Sequence, residues 1–263
     1  MEKGTSFNPD RGFVRLRMNP IREKLQSSSL LARAVPFVIF LTFTALQDSF
    51  GQAGRYWIYF AKTIAGIWLV AGLLRPLVAE CRWVLSWEAV VVGVGVCVVW
   101  VGLDPYYPNA SELSRRVLYP IYRAIGLASW CQPAVAVVPW NPHSQFGAGG
   151  FLAWLLVVTR LLGSTFVVPP LEEVFYRSFI YRYISRVDFL AEPLGQFRVG
   201  AFIITAVIFG FSHQEWLAGI LCAFAYQGLV CWKKRLGDAI TAHAITNFLL
   251  GLWIITRGDW HFW

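Results

Sequence analysis

The chain has 263 residues, 57% of them hydrophobic and only 14% charged, with a net charge of +8. A soluble domain carries roughly a quarter charged residues, so this composition excludes an ordinary soluble globular protein and points to an integral membrane protein. The positive excess is concentrated in Lys3, Arg11, Arg15, Arg17, Arg22, Lys24 and Arg33; with no aromatic-interleaved basic surface after it, it marks a cytoplasmic flank rather than a nucleic-acid site.

Apolar runs follow at 34–50, 56–74, 84–103, 151–168, 172–184, 199–211, 216–232 and 239–256. Several are shorter than the ~20 residues of a simple crossing. The period-2 alternation of a membrane barrel is absent. The expected fold is an all-α, polytopic transmembrane helical bundle of about eight membrane helices. The expected location is a multi-pass integral position, in the inner membrane if the source is bacterial. Four regions are read: a basic arm over 1–33, N-terminal membrane helices over 34–103, a Pro/Tyr-rich connector over 104–150 and a helical bundle over 151–257. Within the connector, 111–130 reads as an interfacial amphipathic helix with Ser111 as its N-cap. Its Leu113, Val117, Tyr119, Ile121 and Ile125 face membrane or protein, and its charged residues face water. Eight full crossings would put Lys233-Lys234-Arg235 opposite the basic N-terminus, against the charge rule. A re-entrant 172–184 segment would remove that conflict. The five cysteines form no CxxC pair.

Ionisable groups inside apolar segments are costly, so three signatures stand out: Glu172-Glu173-Val-Phe-Tyr-Arg177, Phe209-Gly-Phe-Ser-His213 and His243-Ala-Ile-Thr-Asn247. Pro169-Pro170 is expected to end one helix and open the next, which places Glu172 and Glu173 at a positive dipole end. Arg177 lies one helical turn beyond Glu173, a natural ion-pair spacing that leaves Glu172 free to point elsewhere. Taken singly, each signature has a bland reading. The acids cap a helix start, His213 caps a helix end, and His243 with Asn247 forms an interhelical hydrogen-bond pair. Lys62, Glu88 and Arg160 are further ionisable residues within apolar runs, and Arg160 is expected to pair with an acid at the head of the next helix.

The ordered set Glu-Glu-x-x-x-Arg, Phe-x-x-x-His and His-x-x-x-Asn resembles the CPBP family of intramembrane glutamic proteases, which includes CAAX-protease-related and bacteriocin-processing enzymes. The resemblance covers about the C-terminal 110 residues. It implies a peptide-bond hydrolase in which Glu172 and His213 activate a water and His243 and Asn247 stabilise the oxyanion. Glu173 and Arg177 would be supporting charges. It implies no cofactor and no metal, and as partners membrane lipid and a peptide or protein substrate, C-terminally processed or lipidated in some members. Two alternatives stay open: a metal-dependent membrane hydrolase, and a non-catalytic membrane scaffold or immunity factor. The zinc string His-Glu-x-x-His is absent, since His213-Gln-Glu215 lacks the second histidine.

Overall fold

The structure is a computed structural model that describes residues 27–74, 77, 79–127, 129 and 138–263. Residues 1–26 of the expected basic arm lie outside the described residues. The described chain is an all-α membrane bundle, with no strand among the described residues. Among the described residues five stretches are long and apolar enough to cross a membrane.

The first of these, Ser29–Gly72, is folded in two. α1 (Ser29–Leu46) is capped by Ser28 and runs through a short 3-10 turn into Gly51, whose φ of 72° turns the chain back into α2 (Gly51–Trp68). A side chain at that φ would be strained, which is the use of glycine there. Lys62 bonds Thr44 and a Cβ on Gly66 would touch Phe40, so α1 and α2 are antiparallel. α3 (Trp87–Leu103) starts on a Ser86 cap and leads to a connector. Its helical part, α4, is built from Ala110–Leu113, Ser114–Leu118 and Tyr119–Ala124. The amphipathic helix read from sequence is present but displaced. Asn109, not Ser111, is the N-cap, because its Oδ1 accepts from Glu112 N at 2.9 Å. Ser111 Oγ instead donates to Gln214 Oε1 at 2.9 Å. Val117, Ile121 and Ile125 are exposed, as an interfacial apolar face requires. A short α5 (Pro142–Phe146) follows.

α6 is one continuous helix, Phe151–Ser185. The sequence reading of two helices divided at Pro169-Pro170 is corrected here, and with it the re-entrant 172–184 segment. The helix passes the two prolines by shifting to an i→i+5 register over Gly163–Val167, where Val168 N donates to Gly163 O. Pro169 has no N–H, so Ser164 O loses its donor within the helix. Asn247 of another helix supplies one, Nδ2 to Ser164 O at 2.9 Å. A second i→i+5 stretch covers Val174–Ile180. Such register shifts occur often at functional sites. Glu172 and Glu173 therefore lie in mid-helix, and capping does not explain them.

α7 (Val199–Phe211), α8 (Trp216–Lys233) and α9 (Gly237–Arg257) complete the bundle. α7 buries Ala201, Thr205, Ala206, Phe209 and Gly210 on one face, while Ile203, Ile204, Val207 and Ile208 are exposed on the other. A wide bare apolar face of that kind suits lipid contact. α9 packs closely on α3, where a Cβ on Gly93 would stand 2.6 Å from Ala242 O. Thr246 Oγ1 donates to Gly93 O at 2.8 Å and accepts from Tyr226 OH at 2.7 Å, tying α3, α8 and α9 together. Lys233 pairs with Glu88 at 2.7 Å, Lys234 donates to Gly195 O and Arg235 pairs with Asp238. The basic cluster thus serves as internal pairing for its end of the bundle.

Candidate active site

A cavity of about 430 Å³ opens between α1, α2, α3, α6, α8 and α9. Glu172, His213, His243 and Asn247 all line it, although they come from three separate segments of the chain.

Glu173 organises one wall. Its side chain and that of Arg177 are fully buried, and Arg177 Nε lies 3.1 Å from Glu173 Oε2. This is the i,i+4 pair that the spacing predicts. The guanidinium also sits over the Phe209 ring at 4.5 Å, which offsets part of its desolvation. The other carboxylate oxygen, Glu173 Oε1, is 2.9 Å from His243 Nδ1, a contact between residues 70 apart in the chain. Tyr226 stacks on the His243 ring at 5.1 Å. The carboxylate thus selects the tautomer with hydrogen on Nδ1 and aims Nε2 away from itself.

Glu172 differs from its neighbour. Its Oε2 is buried and has no hydrogen-bond partner among the described residues. A buried acceptor of this kind is unusual in a folded protein and calls for an explanation. The residue as a whole is half-buried and lines the cavity, while this oxygen is turned into the packing beside it.

His213 occupies the loop between α7 and α8. Its Nδ1 lies 2.8 Å from Phe209 O. A carbonyl only accepts, so Nδ1 carries the hydrogen and Nε2 keeps its lone pair. The ring caps α7 and lines the cavity at once. Phe209 and Trp100 cover it at 4.7 and 5.6 Å. Desolvation lowers the His213 pKa below the ordinary histidine value, with the Glu172 carboxylate opposing that shift. The lowered value favours a neutral, proton-accepting ring.

Asn247 Nδ2 spends one hydrogen on Ser164 O, which fixes the orientation of the amide, since only the nitrogen side can donate. Its second Nδ2 hydrogen remains for a ligand. Tyr176 also lines the cavity and its OH reaches Ser212 Oγ at 3.4 Å. It lies inside the Glu-Glu-x-x-x-Arg signature as an unspecified position, and spacing gives no reason to single it out. Among the described residues Arg160 pairs with no acid. It lies over Tyr59, Trp140 and Trp263 at 4.7, 4.5 and 5.6 Å. Among the described residues no three His, Cys, Asp or Glu side chains are grouped to hold a metal ion.

Glu215 is a further cavity residue, 8% exposed, beside the Asp104–His261 pair. Burial pushes its carboxyl up to about 7. A raised carboxyl costs stability once it ionises, so the penalty is absent below the ordinary carboxylate range and complete above about pH 7. Glu215→Gln is therefore expected to raise the melting temperature over wild type more at pH 8 than at pH 5. Thermal unfolding in detergent at both pH values checks this, and an equal gain at both would refute the buried-acid account.

No curated protein and no solved structure matches the chain at a significant level. Residues 152–249 match the family model described as type II CAAX prenyl endopeptidase Rce1-like. That segment holds Glu172, Glu173, Arg177, His213, His243 and Asn247 together. The description is that of a protease family. Over residues 152–249 the chain is thus similar to the Rce1-like type II CAAX prenyl endopeptidases.

Proposed function

We propose that this protein is an intramembrane endopeptidase that hydrolyses a peptide bond with a water activated by Glu172 and His213. The observation that carries the reading is that Glu172, whose Oε2 has no partner among the described residues, lines the cavity that also receives His213, His243 and Asn247. Glu172 takes a proton from water, with the bare Nε2 of His213 as the second acceptor orienting it. The hydroxide adds to the carbonyl carbon. Negative charge then develops on the carbonyl oxygen, where the spare Asn247 Nδ2 hydrogen and a hydrogen on His243 Nε2 donate to it. Donation by His243 requires both ring nitrogens protonated, and Glu173 is the counter-charge for that form. The Glu172 carboxylic acid finally protonates the leaving amine as the C–N bond breaks, yielding a carboxylic acid and an amine, and the acid passes its proton to the amine or to water on release. Water is the nucleophile, so no covalent enzyme intermediate is formed. The substrate is a peptide or protein segment held at the membrane, C-terminally processed or lipidated in keeping with the family's name.

The test is cleavage of a peptide library by the purified protein in detergent, with and without a strong chelator. Activity is expected to survive the chelator. His213→Ala is expected to lose roughly 10²–10⁴-fold in rate, the range for one acid–base group. Abolition by the chelator would replace this mechanism with a metal-dependent one, and an unaffected His213→Ala would remove His213 from it.

A further inference from the structure

Two cations line the same cavity as Glu172 and have no part in the chemistry above: Lys62 on α2 and Arg160 on α6. Neither forms an ion pair with a carboxylate among the described residues. Lys62 is 6% exposed and its Nζ donates to Thr44 Oγ1 at 3.2 Å, with Phe40 and Tyr59 beneath it at 4.8 and 4.4 Å. Among the described residues Arg160 has the ring faces of Tyr59, Trp140 and Trp263. Aromatic faces satisfy a guanidinium from above and below but leave its in-plane N–H donors unused. A cation at membrane depth normally has a counter-charge or marks the path of one.

The two are held near each other by the packing of α2 on α6. A Cβ on Gly163 would stand 2.9 Å from Thr63 Oγ1, and one on Gly66 would stand 2.4 Å from Val167 Cγ1. These contacts set Lys62 beside the Leu162–Gly163 level of α6, about one turn from Arg160 on the side toward Glu172. Arg160 and Glu172 are separated by roughly 18 Å of helix rise at 1.5 Å per residue. An extended peptide advances about 3.3–3.6 Å per residue, so about five residues bridge the two points. The wall between them includes Phe37, Phe40 and Val168, which suits apolar side chains.

We infer that Lys62 and Arg160 form a carboxylate-binding specificity subsite, which reads a negative group a few residues from the bond that is cut. The planar fork of Arg160 matches a carboxylate with two parallel hydrogen bonds, and Lys62 adds a point charge. Lys62 lies outside the segment matched to the family, so this subsite joins the N-terminal helices to the catalytic domain. The inference rests on the peptidase reading for its substrate class, but it is tested by binding.

Glu172→Gln protein in detergent is incubated with three pools of acetylated octapeptides randomised over Ala, Val, Leu and Phe. One pool ends in a free carboxylate, one in a carboxamide, and one in a carboxamide with a single Asp near that end. At least one carboxylate pool is expected to be retained about tenfold or more over the plain amide pool, the worth of one charge-assisted hydrogen bond. Whichever of the two is retained identifies the source of the negative group. Adding Arg160→Gln or Lys62→Gln is expected to shrink the preference to within about twofold, and Arg160→Lys to keep part of it. Equal retention of all pools, no retention of any, or a preference unchanged by both neutral variants would overturn the inference. A carboxylate preference without cleavage by wild type would instead sink the peptidase reading and leave the subsite standing.

Discussion

Glu172→Gln is expected to lower the rate of peptide cleavage by roughly 10³-fold or more while the protein stays folded. The substitution keeps the shape of the side chain and removes its ability to take a proton. It breaks no hydrogen bond at Oε2, since that oxygen has no partner among the described residues. Turnover and thermal unfolding in the same detergent check both halves of the statement. Turnover near the wild-type rate would remove Glu172 as the base. A biological effect that survives in Glu172→Gln, with cleavage lost, would favour a scaffold or immunity role for the same polar cluster.

The second large effect concerns stability. Glu173→Ala is expected to cost about 3–5 kcal/mol, because it leaves a buried guanidinium without its counter-charge. The Arg177 side chain has 0% exposure and its ion pair is with Glu173. The same change frees His243 Nδ1, so activity is expected to fall as well. A double variant, Glu173→Ala with Arg177→Met, separates the two consequences. Replacing both charges by apolar groups restores most of the stability, as is common for buried pairs. It does not restore the orientation of His243, so cleavage stays low. Unfolding by heat and cleavage rate, measured on the single and double variants, decide the matter. A single variant as stable as wild type would show that the pair contributes nothing, and a fully active double variant would show that Glu173 does not position His243.

The membrane class and the helical fold were legible because they depend on composition and long apolar runs. The Glu173–Arg177 pair was legible because it is local, four residues along one helix. The helix break at Pro169-Pro170 was misread for a physical reason. Proline forbids an ordinary α-helical hydrogen bond, but the i→i+5 register over Gly163–Val167 carries the chain past it, and Asn247 serves the carbonyl left over. No local pattern announces a donor 83 residues away. The Glu173–His243 contact was hidden for the same reason. Arg160 was expected to find an acid. Instead three aromatic rings, contributed by α2, the segment before α5 and the C-terminal turn, house it, and ring faces leave no signature in charge spacing. Ser111 lost the cap to Asn109 because both are good capping residues and Gln214 claims the serine.

The widened turn at Gly163–Val167 acts as a phase setting for everything after it in α6. Successive residues on a helix point about 100° apart. Winding the same residues as an ordinary α-helix there would swing the whole downstream half by roughly that angle, because the widened turn takes up one residue without turning the face. Such a swing would turn the acid now facing the hollow toward packed side chains, while Glu173 would carry Arg177 with it along the same helix and leave His243 behind. One surplus residue, two turns upstream, decides which carboxylate is available for chemistry and which is spent on architecture.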